Sequence, residues 1–162
     1  LAFDGETGPY LMYTHTRLAS VLKKYPSAVS DKGALQPRIP GSNSRASARG
    51  GSAVVDKLPE YNQPVSSSVD YNILVQPEEK AIINRLAEFP DIIKQAAQEY
   101  EPSVISNYLL DIASTFNRYY HYHRIISDDS AQTSARIMLC RCLKTVFYNG
   151  LTLLGITPQE EM

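Results

Sequence analysis

The chain has 162 residues, 43% of them hydrophobic and 20% charged, with a formal net charge of −1; that is the composition of a soluble globular chain with room for one core and a flexible segment. A charge so near zero gives no global attraction to nucleic acid, so contact with a polyanion must come from a local patch. No apolar run approaches about 18 residues, and neither a membrane span nor a secretory leader is expected. The chain begins at Leu1 in mid-pattern, without an initiator Met, and is expected to be a piece of something longer.

Leu1 to Thr7 is a short lead-in. Thr7, Gly8 and Pro9 then read as a helix start, a capping hydroxyl followed by proline in the first turn. The helix is expected to run to about Tyr25, because Pro26 disfavours helical geometry in its predecessor. It carries two stripes. Leu11, His15, Leu18, Val21 and Leu22 form an apolar seam, while Tyr10, Tyr13, Arg17 and Lys24 lie along another line. Rings and cations on one stripe suit bases and phosphates, although on spacing alone such tyrosines more often form a boundary half-buried against a neighbouring helix.

Residues 26–72 are of different material, rich in Ser, Gly and Pro, with apolar residues at no period. They are expected to be a mobile insertion, in which Arg38, Arg45 and Arg49 mainly maintain solubility. Order is expected again at Ile73. Pro77, Glu78 and Glu79 open a helix with an acidic first turn, and Ala81, Ile82, Leu86 and Phe89 form its apolar side. Pro90 is expected to break it and begin another short helix, with Ile92, Ile93, Ala96, Ala97 and Tyr100 facing inward.

The stretch from Pro102 to Arg124 looks like the organising element. Ile105, Tyr108, Leu109, Ile112, Ala113, Phe116 and Tyr120 recur at helical spacing, and the far end turns into a mixture of rings and cations from Arg118 to Arg124. Tyr120 is ambiguous, since Ile112 and Phe116 share its face and would bury it. Ser127 to Ser130 is a polar turn rich in capping side chains. The last helix is expected from about Ser130 to Leu154, with Ala135, Met138, Leu139, Cys142, Val146, Gly150 and Leu153 on its seam, flanked by Leu143 and Phe147. Gly155 sits where a left-handed cap belongs, and Pro158 prevents continuation. The fold class is therefore all-α, an antiparallel bundle of about five helices carrying a long Ser/Gly/Pro-rich insertion. Its parts are 1–25, the first bundle helix; 26–72, the insertion; and 73–162, the remainder of the bundle.

Chemistry of its own is not evident. The two cysteines, Cys140 and Cys142, point to nearly opposite sides of a helix and are expected to be reduced and buried, as in a cytosolic chain. Of the three histidines, His121 and His123 are two apart on a helix and cannot converge on a metal. No glycine-rich phosphate loop or nucleophile elbow is present. No catalytic or metal-ligating residue is assigned.

Three stretches together resemble one family, the C-terminal part of class I arginyl-tRNA synthetases. Phe3 to Arg17, with Thr7-Gly8-Pro9-Tyr10-Leu11-Met12-Tyr13 and then His15 and Arg17, is similar to the helix that follows the family's catalytic domain. Tyr108 to Ala113 leads to Phe116, Asn117, Tyr119 and Tyr120 in a second match. The third runs from Ala135 to Leu139, then Asn149 to Ile156, and closes on Pro158 to Met162 like the family's terminus. The resemblance covers everything except the insertion. It implies a DALR-type helical bundle that binds the anticodon stem and loop of an arginine tRNA. Its own catalytic domain, using ATP with Mg, would precede Leu1, and the fragment itself would need no cofactor. It further implies a monomer in the cytoplasm, with Met162 as the true terminus. Loop contacts map onto Tyr10, Tyr13, Arg17, Tyr120 and Met162. Met12 stands where glutamine is usual, and Arg124 where some members carry an aromatic ring; a guanidinium can also stack on a base. The alternative, from residues alone, is a helical module that binds a protein partner through the same surface.

Overall fold

The computed structural model describes residues 8–29 and 69–161, with side chains described over 8–25 and 69–161. Four α-helices and one 3-10 turn make up the described elements: α1 (Gly8–Val29), a turn at Tyr71–Ile73, α2 (Pro77–Glu99), α3 (Ser103–Tyr122) and α4 (Ser130–Leu153). The fold is the expected all-α bundle. α2 packs chiefly on α3, and α1 chiefly on α4 with a second contact to α3. No described helix is long and apolar enough to cross a membrane. The greater part of the segment read as an insertion, residues 30–68, lies outside the described residues, as do Leu1 to Thr7 and Met162.

The helix starts follow local chemistry. At α2, Pro77 occupies the first turn and the Glu79 carboxylate accepts the backbone N–H of Gln76 at 3.1 Å. At α4, the Asp129 carboxylate accepts from the N–H groups of Ala131 (2.9 Å) and Gln132 (3.2 Å). The end of α4 is a Schellman closure. Gly155, at φ +75°, donates to the Thr152 carbonyl, and Ile156 donates to that of Leu151.

Two prolines do not act as the sequence suggested. α1 continues through Pro26 to Val29, and α2 runs unbroken through Pro90, so the two short helices expected over 77–100 are one. A proline interrupts one hydrogen bond and biases its predecessor, and packing on both sides can override that. Leu86 and Phe89 before Pro90, and Ile92, Ile93 and Ala96 after it, all pack against the core. α2 instead ends at Tyr100, which is in the left-handed region (φ 54°, ψ 35°) and 92% exposed rather than facing inward.

The most enclosed element is α4, not α3. α4 has twelve buried residues against seven for α3, and they surround much of its circumference. Leu143, Phe147 and Leu151 meet Leu18 of α1 and Leu109, Ile112 and Phe116 of α3 in one cluster. Gly150 permits the α3–α4 approach, since a Cβ there would lie 2.9 Å from a Leu109 methyl. Ala135, Leu139, Val146 and Gly150 of the expected seam are buried and so is Cys140, but Cys142 and Leu153 are exposed.

Candidate nucleic-acid interface

The tyrosine stripe of α1 meets the end of α3. The Arg17 guanidinium donates to Asn117 Oδ1 at 2.6 Å and to the Tyr13 hydroxyl at 2.7 Å. Its central carbon lies 4.5 Å from the Tyr13 ring centroid and 5.1 Å from that of Tyr120, within cation–π range of both. Asn117 Nδ2 donates to the Tyr10 hydroxyl at 2.9 Å and to Thr14 Oγ1 at 3.1 Å. Tyr13 is 51% exposed and Tyr120 37%, so both present ring surface to solvent while Tyr10 is half-buried against the core. Tyr120 is covered only in part: its ring leans on buried Phe116 at 5.9 Å and still reaches the surface.

Arg124 lies outside that cluster but next to it. With Tyr120, Val21, Lys24, Tyr122 and Ile125 it lines a pocket of about 460 Å³ beside the end of α3. Its lining mixes aliphatic side chains with aromatic and cationic ones. Tyr10, Tyr13, Arg17 and Tyr120 thus converge, and Arg124 extends the same face. Met162 falls outside the described residues.

Beneath this face lies a buried polar network that spacing did not reveal. Glu79 Oε1 accepts from Tyr119 Oη (2.9 Å) and from Arg136 Nε (2.9 Å), and Arg136 Nη1 also donates to the Arg124 carbonyl at 2.8 Å. The side chains of Arg136 and Glu79 are 7% and 1% exposed. Burial, then the bond to Glu79, push the Tyr119 hydroxyl far above its ordinary range, so it stays a donor. Tyr119, within the stretch of rings and cations from Arg118 to Arg124, is fully buried. The available signal was a Glu and an Arg at apolar-face positions, where charges seldom lie unless paired. Asn117 was missed as well, although it lies three residues before Tyr120 on a shared face.

Residues 159–161 fold back on α1 and α4. Nδ1 of buried His15 donates to the Gln159 carbonyl at 2.9 Å, Lys144 pairs with Glu160 at 2.5 Å, and Lys23 pairs with Glu161. Burial lowers the His15 pKa from its ordinary 6.5, outweighing the opposing effect of the Gln159 bond. Its Nε2 is buried without a hydrogen-bond partner among the described residues.

The DALR anticodon binding domain is the family whose model matches, over residues 44–162. The chain is 32% identical over its full length to the arginine–tRNA ligase of Halothermothrix orenii and 33% to that of Levilactobacillus brevis. It is 39% identical over 99 residues, 61% of the chain, to the one from Geotalea daltonii, of which that match covers 18%. Among solved structures, Thermus thermophilus arginyl-tRNA synthetase superposes over 99% of the chain with a TM-score of 0.62 and 25% identity. The chain spans 22% of the length of the first two relatives and of that structure.

Proposed function

Since this chain belongs to the DALR anticodon-binding domain family, we propose that it grips the anticodon stem and loop of an arginine tRNA within an arginine–tRNA ligase. The observation that carries the proposal is the Tyr13–Arg17–Tyr120 cluster, where two exposed rings flank a fixed cation. RNA loops offer unstacked bases, and each base laid on an aromatic ring contributes about 1–3 kcal/mol. Arg17 supplies charge for a phosphate at the same point. Arg124 and Lys24, which line the adjoining pocket, extend the cationic track, and Met162 is a further contact in this proposal. The parent protein attaches arginine to its tRNA through a separate catalytic domain that uses ATP and Mg, acting as a monomer in the cytoplasm. The chain alone has no nucleotide-binding motif and is expected to show no ATP–pyrophosphate exchange.

A salt titration of binding to an arginine-tRNA anticodon stem–loop tests the proposal. Log affinity is expected to fall linearly with log salt, by about 0.7 per phosphate contacted in single-stranded RNA. The rival reading, a surface for a partner helix, gains nothing from the family match. Salt-insensitive or absent RNA binding would favour it.

A further inference from the structure

A buried ion pair is an unreliable source of stability, because desolvating both charges offsets most of their attraction. The Glu79–Arg136 pair therefore calls for another account of why charge sits in this core. Its connections supply one. Glu79 belongs to the first turn of α2, where its other oxygen holds the Gln76 N–H, so its carboxylate is anchored to the backbone. On Oε1 it takes Tyr119, one residue before the exposed ring of Tyr120. Arg136, rising from α4, binds the same oxygen and with its other arm holds the carbonyl of Arg124.

The segment 119–124 is thus fastened at both ends from below. Tyr119 also stacks on His123 at 5.0 Å, which links the two ends of the segment to each other, and His123 Nε2 lies 3.6 Å from Glu78 Oε2 of α2. Successive helical side chains point about 100° apart, so Tyr119 can be fixed inside while Tyr120 faces Arg17 outside. The rigid guanidinium fork reaches two acceptors in fixed directions at once, which a lysine ammonium does not reproduce.

We propose that Arg136 and Glu79 are positioning residues for RNA recognition: their buried pair sets the path of residues 119–124 and thereby the placement of Tyr120 and Arg124. This rests on the RNA-binding function proposed above. Neither residue touches RNA. They act through the backbone and ring they hold, so their effect depends on Tyr120 and Arg124 being present.

The test is Arg136→Lys in the otherwise native chain and in a Tyr120→Ala/Arg124→Ala background, with stem–loop affinity and amide hydrogen exchange measured on each. Positioning predicts about a fivefold loss of affinity in the native background and less than about twofold in the other. Exchange at 120–126 should accelerate about tenfold, with the amides of α1 unchanged. Equal losses in both backgrounds, or exchange that rises uniformly, would mean a purely structural role and overturn the proposal; so would an undisturbed variant. Tyr119→Phe, which deletes one hydroxyl and keeps the ring, carries the same comparison if Arg136→Lys does not fold. If neither variant folds, the pair is a folding element only and the proposal falls. Failure of the native chain to bind the stem–loop would refute the function proposed above, while local exchange would still decide whether the pair holds 119–124.

Discussion

Asn117 commits its whole amide to α1, and its orientation follows from its partners. Arg17 can only donate, so the carbonyl oxygen must face it and the NH2 must face the Tyr10 and Thr14 hydroxyls. Tyr13 and Arg17 were legible from their four-residue spacing, but Asn117 was not, because its role exists only where α1 crosses α3. If the stripe is a binding face, Tyr13→Ala should cost about 1–3 kcal/mol of stem–loop affinity through lost stacking. Arg17→Ala should reduce the salt slope by about one unit. Neither should lower the melting temperature as much as Phe116→Ala, whose cavity should cost about 3–5 kcal/mol. Melting and binding measured together on the three variants decide it; Tyr13→Ala melting like Phe116→Ala while binding normally would make the stripe core.

His15 gives a pH dependence with a definite sign. Its folded pKa is depressed by burial, so below 6.5 the unfolded chain takes up a proton that the folded chain resists. Its contribution to stability is therefore complete above about pH 6.5 and declines as the pH falls toward the folded value. His15→Gln, whose amide can still donate toward the Gln159 carbonyl, should lose less stability than the native chain between pH 7.5 and 5.5. Parallel melting curves for the two proteins across that range would show that His15 does not titrate on unfolding.

Among the elements, the helix starts and stops that depend on local chemistry were readable: Asp129 caps α4, Pro77 begins α2, and Gly155 closes α4. What misled was proline. Pro26 and Pro90 read as stops in the sequence, yet both helices continue, and in α2 the core packing on both sides of Pro90 offsets the one lost hydrogen bond. The seam of α4 was also blurred, since a helix enclosed on several sides has no single apolar stripe; Arg136 and Lys144 are buried on it while Leu153 is exposed. Gly155→Ala is expected to cost about 1 kcal/mol, because the residue must stay at positive φ to close the helix. Thermal melting checks this, and no loss would mean that the last turn rearranges freely.

At the scale of the molecule, the all-α class was legible because helical periodicity persists wherever the chain is apolar, whereas which helices meet was not. Composition sets residues 26–72 apart, and their status as a dispensable insertion stands as a proposal. Replacing 30–68 with a short Gly/Ser linker should leave helical circular dichroism and cooperative melting nearly intact, since loop length alters closure entropy only slowly. Loss of cooperative unfolding would reveal an element that the bundle needs. The pairing of α1 with α3 and α4 has a consequence in time. α2, α3 and α4 follow one another through short connections, but the Arg17–Asn117 bond spans 100 residues. Contacts so distant in sequence are slow to close, and they are expected to follow the local helix pairs. Half of the aromatic surface arrives with α1, so in refolding most of the helical signal should return before any affinity for RNA does, and a chain caught midway would be helical yet deaf to its ligand.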